Sequence, residues 1–322
     1  MKKINFTFLG SSRFSLIVLE ALERAGFLPT LIITAPDQKK DRGQKVHSTL
    51  VKDWAEARKI PVETPLTLKN NSEIAEKLAA VSTADGTKPQ VFVTASYGKI
   101  IPKNILDIPK HGTLNVHPSL LPKFRGPSPL ETSILELGTE KNVDKNLPRG
   151  ADQNPVTPTG VTIMLTDEDI DHGPIVAQIE VPIDGWPPVP PYTEQLETIL
   201  ARAGGNLLAE ILPKWIAGEI KPKPQKHSEA TFTKKFEKAD GLVDLSDDAA
   251  MNLRKIRALH RSPGTYFFVK KSDEKIAASG GENNIRIRIK SADIKNGELM
   301  LDKIVPEGKK EMTFKDFWRG FR

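Results

Sequence analysis

Asn115 and His117 stand two positions apart in the run Gly112-Thr-Leu-Asn-Val-His-Pro-Ser-Leu-Leu-Pro-Lys-Phe-Arg-Gly-Pro-Ser-Pro129. On a strand that spacing sends an amide and an imidazole out of the same face. Pro118, Pro122, Pro127 and Pro129 stiffen the loop behind them and lower the entropy of holding it in one shape. A third candidate, Asp171, lies in the acidic loop Thr166-Asp-Glu-Asp-Ile-Asp-His-Gly-Pro174, next to the Gly173-Pro174 turn. An imidazole can move a proton, a carboxylate beside it orients the ring and stabilises its cation, and an amide can donate a hydrogen bond to a developing oxyanion. Asn, His and Asp together therefore suit transfer of an acyl group to an amine. Taken singly, each also has a plainer reading: a histidine at a strand end can be structural, and four acidic residues in a loop can simply be solvated.

Several other chemistries are excluded. The chain has no cysteine, so it has no disulfide framework, no thiolate nucleophile and no Cys-ligated zinc. Read as a calcium loop, the acidic segment has Asp167, Asp169 and Asp171 correctly spaced, but His172 stands where glycine is needed and Gln178 where glutamate is needed. No metal is expected. The turn Gly10-Ser-Ser-Arg-Phe14 lacks the spaced glycines of a dinucleotide fingerprint, and no Gly-rich loop ends in Lys-Ser or Lys-Thr. The basic stretch Pro36-Asp-Gln-Lys-Lys-Asp-Arg-Gly-Gln-Lys45 is readable either as a phosphate-contacting arm or as an ordinary solvated loop.

The elements that must position these residues alternate in type. Strands are predicted at Ile4–Leu9, Leu28–Thr34, Val91–Ala95, Thr113–His117 and Val161–Leu165, and a hairpin-like run at Ile175–Ile183. Helices are predicted at Phe14–Ala25, Leu50–Arg58, Ile74–Ala80, Leu130–Leu137 and from about Glu194 to Ala217, the last with its continuity challenged by Gly204, Gly205 and Pro213. Such alternation predicts an α/β fold: a Rossmann-like, mostly parallel sheet with helices on both faces and ligands beyond the carboxyl ends of its strands. Residues 139–159 read as a surface insertion, Trp186 to Pro191 as a proline-rich break, and Gly218–His227 as an extended basic linker. Beyond it, a helix at Ala249–Leu259 and strands at Thr265–Val269, Ile285–Ser291 and Leu299–Ile304 suggest a small C-terminal β-barrel of the OB-like type.

At 322 residues the chain is long enough for two cores. Its net charge of +6 is uneven: residues 1–205 hold 23 Lys+Arg against 24 Asp+Glu, and residues 206–322 hold 24 against 17. The basic C-terminal part is readable either as suited to a polyanion or as a merely solubilising surface. The start, Met1-Lys-Lys-Ile-Asn-Phe-Thr-Phe-Leu9, is too briefly apolar for a signal peptide and reads as a first strand, so no membrane association and a cytosolic location are expected.

The core signature Asn115-Val-His117-Pro-Ser-Leu-Leu-Pro122 with Arg125-Gly126, joined to Gly160-Val-Thr-Ile-Met164 and Asp171-His-Gly173, resembles the active site of the folate-dependent formyltransferases. Thr34-Ala-Pro-Asp37 leading to Arg42-Gly43, Ile256-Arg-Ala-Leu259 and Pro306-Glu-Gly-Lys-Lys-Glu-Met312 favour the branch that acts on tRNA. The resemblance implies that Asn115, His117 and Asp171 are catalytic, and that Ser119, Leu120, Leu121 and Pro122 line the folate pocket. It implies that Arg42, assisted by Lys39, Lys40 and Lys45, contacts tRNA. The formyl donor would be 10-formyltetrahydrofolate, the acceptor methionyl-initiator tRNA, and the working state a monomer. The implied organisation is a catalytic domain over 1–205, a helix end and linker over 206–228, and a tRNA-binding domain over 229–322. Two rivals share parts of this pattern: an N-formyltransferase for a sugar or other small amine, and a nucleic-acid adaptor without activity. The opening turn Gly10-Ser-Ser-Arg13, the 139–159 insertion and the prolines of 185–191 depart from the family pattern.

Overall fold

A computed structural model of the chain describes residues 4–40, 45–80, 89–137, 159–186, 189–270, 276–277 and 284–320. These form two compact units, one from the described residues of Met1–Pro127, Pro158–Pro182 and Glu197–Phe232, the other from those of Ser128–Thr157, Ile183–Leu196 and Thr233–Arg322.

In chain order the elements of the first part are β1 (Phe6–Leu9), α1 (Arg13–Arg24), β2 (Leu31–Ile33), β3 (Gln38–Lys40), β4 (Lys45–His47), α2 (Leu50–Glu56), β5 (Val62–Glu63), α3 (Ser72–Ala80), β6 (Val91–Thr94), α4 (Lys103–Leu106), β7 (Thr113–His117), α5 (Pro129–Glu136), β8 (Thr159–Leu165), β9 (Ile175–Val181) and α6 (Thr193–Ile216). A seven-stranded sheet runs β5-β2-β1-β6-β7-β8-β9. Its first five strands are parallel, β8 runs against them, and β9, antiparallel to β8, runs with them again, so the expected mostly parallel α/β sheet is present. Strands β1, β2 and β6 are buried throughout, Thr7 and Thr94 included, as fits strands of a sheet covered on both faces.

The opening turn Gly10-Ser-Ser-Arg13 is a helix start. Ser12 caps α1, its side chain accepting from the Ser15 amide while Ser15 reciprocates, and the hydroxyl of Ser15 donates to the carbonyl of Ala95 at 2.5 Å. The run predicted as a loop at Pro36–Lys45 supplies β3 and the first residue of β4, which pair as a small antiparallel hairpin with Lys40 opposite Lys45.

Helix α6 is continuous for 24 residues despite its two central glycines and Pro213. The glycines are contact points rather than breaks. A Cβ at Gly204 would come within 2.6 Å of Val116 and 2.9 Å of Val161, and one at Gly205 within 2.6 Å of Ala21. Packing on the sheet and on α1 thus outweighs the roughly 1 kcal/mol that each glycine costs a helix.

In the second unit the elements are α7 (Ala249–Leu259), β10 (Thr265–Lys270), β11 (Ile276–Ala277), β12 (Asn284–Ile289), β13 (Ala292–Lys295), β14 (Glu298–Leu301), β15 (Lys303–Pro306), β16 (Met312–Thr313) and α8 (Phe314–Gly320). The strands form a five-stranded antiparallel sheet, β11-β10-β12-β15-β16, and a separate ribbon, β13-β14. The predicted strand Leu299–Ile304 is in fact two, divided at Asp302. Leu253, Ile256, Phe267, Val269, Ile287, Ile289, Ile304 and Phe317 form the core of this unit. Buried Arg254 donates to the carbonyls of Ile134 and Leu137 at the end of α5, satisfying acceptors that a helix terminus leaves open.

Candidate active site

Strand β7 carries the site. Leu114 and Val116 point into one buried face, and Asn115 and His117 leave by the other. Gly204 of α6 lies against Val116, so the helix behind the sheet fixes the residue between the two polar ones.

His117 is buried, and its Nε2 lies 3.0 Å from the carbonyl oxygen of Phe124. A carbonyl can only accept, so Nε2 carries the hydrogen and the neutral ring keeps a lone pair on Nδ1. That Nδ1 faces the Asp171 Oδ1 atom at 3.5 Å. When Nδ1 carries a proton this contact is an ion pair. Asn115 Nδ2 donates to the same Oδ1 at 3.4 Å, and the backbone N–H of Gly126 donates to Oδ2 at 2.8 Å. The structure therefore brings Asn115, His117 and Asp171 together although Asp171 is 54 positions beyond His117.

Two features turn Asp171 inward while the rest of its loop faces out. Its own φ of 49° is in the left-handed region, a conformation aspartate tolerates better than most residues. Gly173 presses so close to β8 that a Cβ there would lie 1.9 Å from the carbonyl oxygen of Leu165. Asp167 is taken up by His172, whose Nδ1 is 2.8 Å from Oδ2, while Glu168, Asp169 and Ile170 are exposed.

The loop after β7 contains Ser119, Leu120, Leu121 and Pro122. Ser119 is buried and its hydroxyl donates to the carbonyl of Lys123 at 2.7 Å; Leu121 is buried and its N–H donates to Thr162 Oγ1 at 3.1 Å. These two build the loop, leaving half-buried Leu120 and Pro122 as the members with accessible surface. The Leu121-Pro122 peptide is cis. Of the basic candidates, Arg42 lies outside the described residues, and Lys39, Lys40 and Lys45 lie on the β3–β4 hairpin. All but Thr159 of the 139–159 insertion, and residues 187 and 188 of the proline-rich stretch, are also outside the described residues.

Other residues at the site have no motif of their own in the sequence. Thr162, opposite His117 in the sheet, donates to the Ser119 carbonyl at 2.7 Å and accepts from Gln178 Nε2 at 2.7 Å. Arg125 is buried and donates to Gln225 Oε1 at 2.7 Å and His227 Nδ1 at 2.9 Å. On the neighbouring loop after β6, burial pushes the Tyr97 phenol up to about 12, which removes it as a base near neutral pH. Burial also lowers Lys99, whose Nζ donates to the carbonyl of Pro65 at 2.7 Å.

The formyl transferase family profile matches residues 1–209, and the profile of the formyl transferase C-terminal domain matches residues 235–322. The chain belongs to the formyl transferase family. Methionyl-tRNA formyltransferase of Dictyoglomus turgidum is 34% identical over 331 aligned residues, covering 98% of this chain and 96% of the relative. That of Thermotoga maritima is 35% identical, with 97% and 93% covered. Among solved structures, methionyl-tRNA formyltransferase from Clostridium thermocellum matches with a TM-score of 0.54 at 16% identity, covering 94% of this chain and 98% of that one. A sugar N-formyltransferase from Shewanella matches with a TM-score of 0.56 at 17% identity, covering 85% and 95%. Both structural likenesses are likenesses of fold.

Proposed function

We propose that this chain transfers the formyl group of 10-formyltetrahydrofolate to the α-amino group of methionyl-initiator tRNA, with Asn115, His117 and Asp171 as its catalytic residues. The observation that carries the reading is the Nδ1 atom of His117, held 3.5 Å from Asp171 in a chain of the formyl transferase family. The amino group of methionine, with a reference pKa of about 8, must lose a proton to attack the formyl carbon. That first proton goes to solvent; as the neutral amine attacks, its nitrogen turns acidic, and His117 Nδ1 takes one of its two remaining protons, directly or through a water, while the carboxylate of Asp171 stabilises the resulting imidazolium. Asn115 spends one amide hydrogen on Asp171, and the second is free to meet the oxygen of the formyl group as negative charge gathers there. The new C–N bond forms to methionine, the bond to the folate nitrogen breaks, and the proton held on His117 returns to that nitrogen. Tetrahydrofolate leaves.

The donor would lie along the loop Ser119–Pro122, against Leu120 and Pro122, and the tRNA along the hairpin bearing Lys39, Lys40 and Lys45, with Arg42 as a further contact. The region after residue 205, with its excess of seven positive charges, is the further tRNA contact. A domain plan of 1–205, 206–228 and 229–322, a monomeric state and a cytosolic location belong to the same proposal. No helix among the described residues is long and apolar enough to cross a membrane.

Purified chain incubated with formyl-labelled folate and charged initiator tRNA should place label in the aminoacyl-tRNA. Label reaching an amino-sugar nucleotide instead, or no acceptor, would remove the proposal.

A further inference from the structure

The segment after α6 reads in the sequence as a linker, yet in the structure one of its residues is as buried as the core. Gln225 is 5% exposed, and all of its side-chain polar atoms are bonded. Its Nε2 donates to the carbonyls of Asp171 at 2.9 Å and Gly173 at 2.7 Å, the two residues that aim the carboxylate inward. Its Oε1 accepts from Arg125 at 3.2 and 2.7 Å, one residue before the Gly126 N–H that holds Asp171 Oδ2. His227, two residues on, stacks on His172 with centroids 4.1 Å apart and planes 7° from parallel.

The same segment also reaches the other catalytic loop. Thr231 Oγ1 accepts the N–H of Phe124 at 2.8 Å, its carbonyl accepts the N–H of Arg125 at 2.9 Å, and its N–H donates to the carbonyl of Pro122 at 3.3 Å. Phe124 has a φ of 61°, a conformation that a bulky side chain disfavours, and its carbonyl is the partner of His117 Nε2. Lys223 closes the near end by exchanging both backbone hydrogen bonds with Ile175 at the start of β9.

We infer that residues 225–231 are part of the catalytic apparatus: Gln225 is a positioning residue that holds Asp171, and Thr231 is one that holds, through Phe124, the tautomer of His117. The inference rests on the proposed roles of His117 and Asp171. Neither side chain needs to touch substrate. Each fixes the backbone from which a reacting group, or its hydrogen-bond partner, projects.

The test uses the full chain in four forms: parent, Gln225→Glu, Thr231→Val and Thr231→Ser. Gln225→Glu keeps an acceptor for Arg125 and loses both donors to the Asp171 loop. Thr231→Val keeps the shape of the side chain and loses the acceptor, whereas Thr231→Ser keeps it; Thr231 is exposed, so these forms should fold. Steady-state formyl transfer from the labelled folate to Met-tRNA should show kcat lowered on the order of 10- to 100-fold in Gln225→Glu and Thr231→Val. The KM values for both substrates should stay within about two-fold, and Thr231→Ser should return to within about two-fold of the parent, because positioning acts on the transition state. A parental kcat in either Gln225→Glu or Thr231→Val, a loss appearing in KM, or an equal loss in Thr231→Ser overturns the inference. If the parent itself transfers no formyl group, the functional reading fails and the ring-nitrogen resonances of His117 decide instead. Nε2–H signals that Thr231→Val shifts and Thr231→Ser keeps would uphold the positioning, and signals unchanged in both would overturn it.

Discussion

With Nε2 of His117 committed to the carbonyl of Phe124, the ring has one nitrogen left for chemistry, and that nitrogen faces a carboxylate. His117→Ala should lower turnover by at least ~10²-fold, the usual scale for a lost acid–base group, with tRNA affinity little changed. Equilibrium binding of Met-tRNA beside single-turnover rates would check both halves. Asp171→Asn keeps an acceptor for the Gly126 N–H but no longer balances an imidazolium. It should lower the single-turnover rate by at least ~10-fold while Met-tRNA binding is unchanged, and a parental rate would contradict the role given to Asp171. Asn115 and His117 were legible from the sequence because a strand's period of two needs no tertiary information. Asp171 was placed only by family resemblance and by its neighbouring turn. Its approach depends on a left-handed residue, a glycine pressed onto Leu165, and an amide from Gly126, none of which leaves a periodic trace. Gln225 had no signal at all: a glutamine in a polar, lysine-rich run looks solvated until the chain is seen to fold back on itself.

At the scale of elements, strands and helices with strong apolar period were readable to within a few residues, and β7 and α7 matched their predicted bounds. Readings failed where tertiary packing overrode local preference. Gly204 and Gly205 look like interruptions, but their lack of a side chain is what lets α6 meet Val116 and Ala21. Gly204→Ala should therefore destabilise the protein by about 1–3 kcal/mol through overpacking, although alanine is the better helix former. Thermal unfolding would reveal the sign, and a raised Tm would contradict the account. Two histidines supply a pH test. Burial lowers His260 first of all, with repulsion from Arg261 and Lys290 adding to it and the Arg257 carbonyl and Glu194 opposing. Burial and then Lys110 lower His111. A histidine depressed in the folded state is protonated first in the unfolded chain, so its contribution to stability is present above the unfolded value of about 6.5 and is lost as pH falls toward the folded one. Denaturant midpoints should fall between pH 7.5 and 5.5, and His260→Asn should flatten that fall.

Across the whole molecule, charge is distributed in a way that suits a tRNA substrate and that a small amine does not call for. Residues 1–205 are nearly neutral and residues 206–322 carry the excess of seven positive charges. Each phosphate neutralised adds to the salt slope of binding, so KM for Met-tRNA should climb steeply with ionic strength while KM for the folate changes little. A shared, shallow dependence would place the acceptor's recognition elsewhere. This asymmetry was plain from residue counts, as was the α/β class of the first part. The number of strands in the second unit was not, because β14 and β15 are parted by a single residue that a pattern-based reading merges, and the short β13 fell outside every predicted strand.

The central claim is that Asn115, His117 and Asp171 act as one unit in formyl transfer. Single-turnover transfer of labelled formyl to charged initiator tRNA, measured for Asn115→Ala, His117→Ala and Asp171→Asn separately and combined, tests it most directly. Residues that work as a unit are strongly non-additive, so the triple variant should be little slower than the slowest single one. Losses that multiply, or a parental rate in any single variant, would contradict the claim.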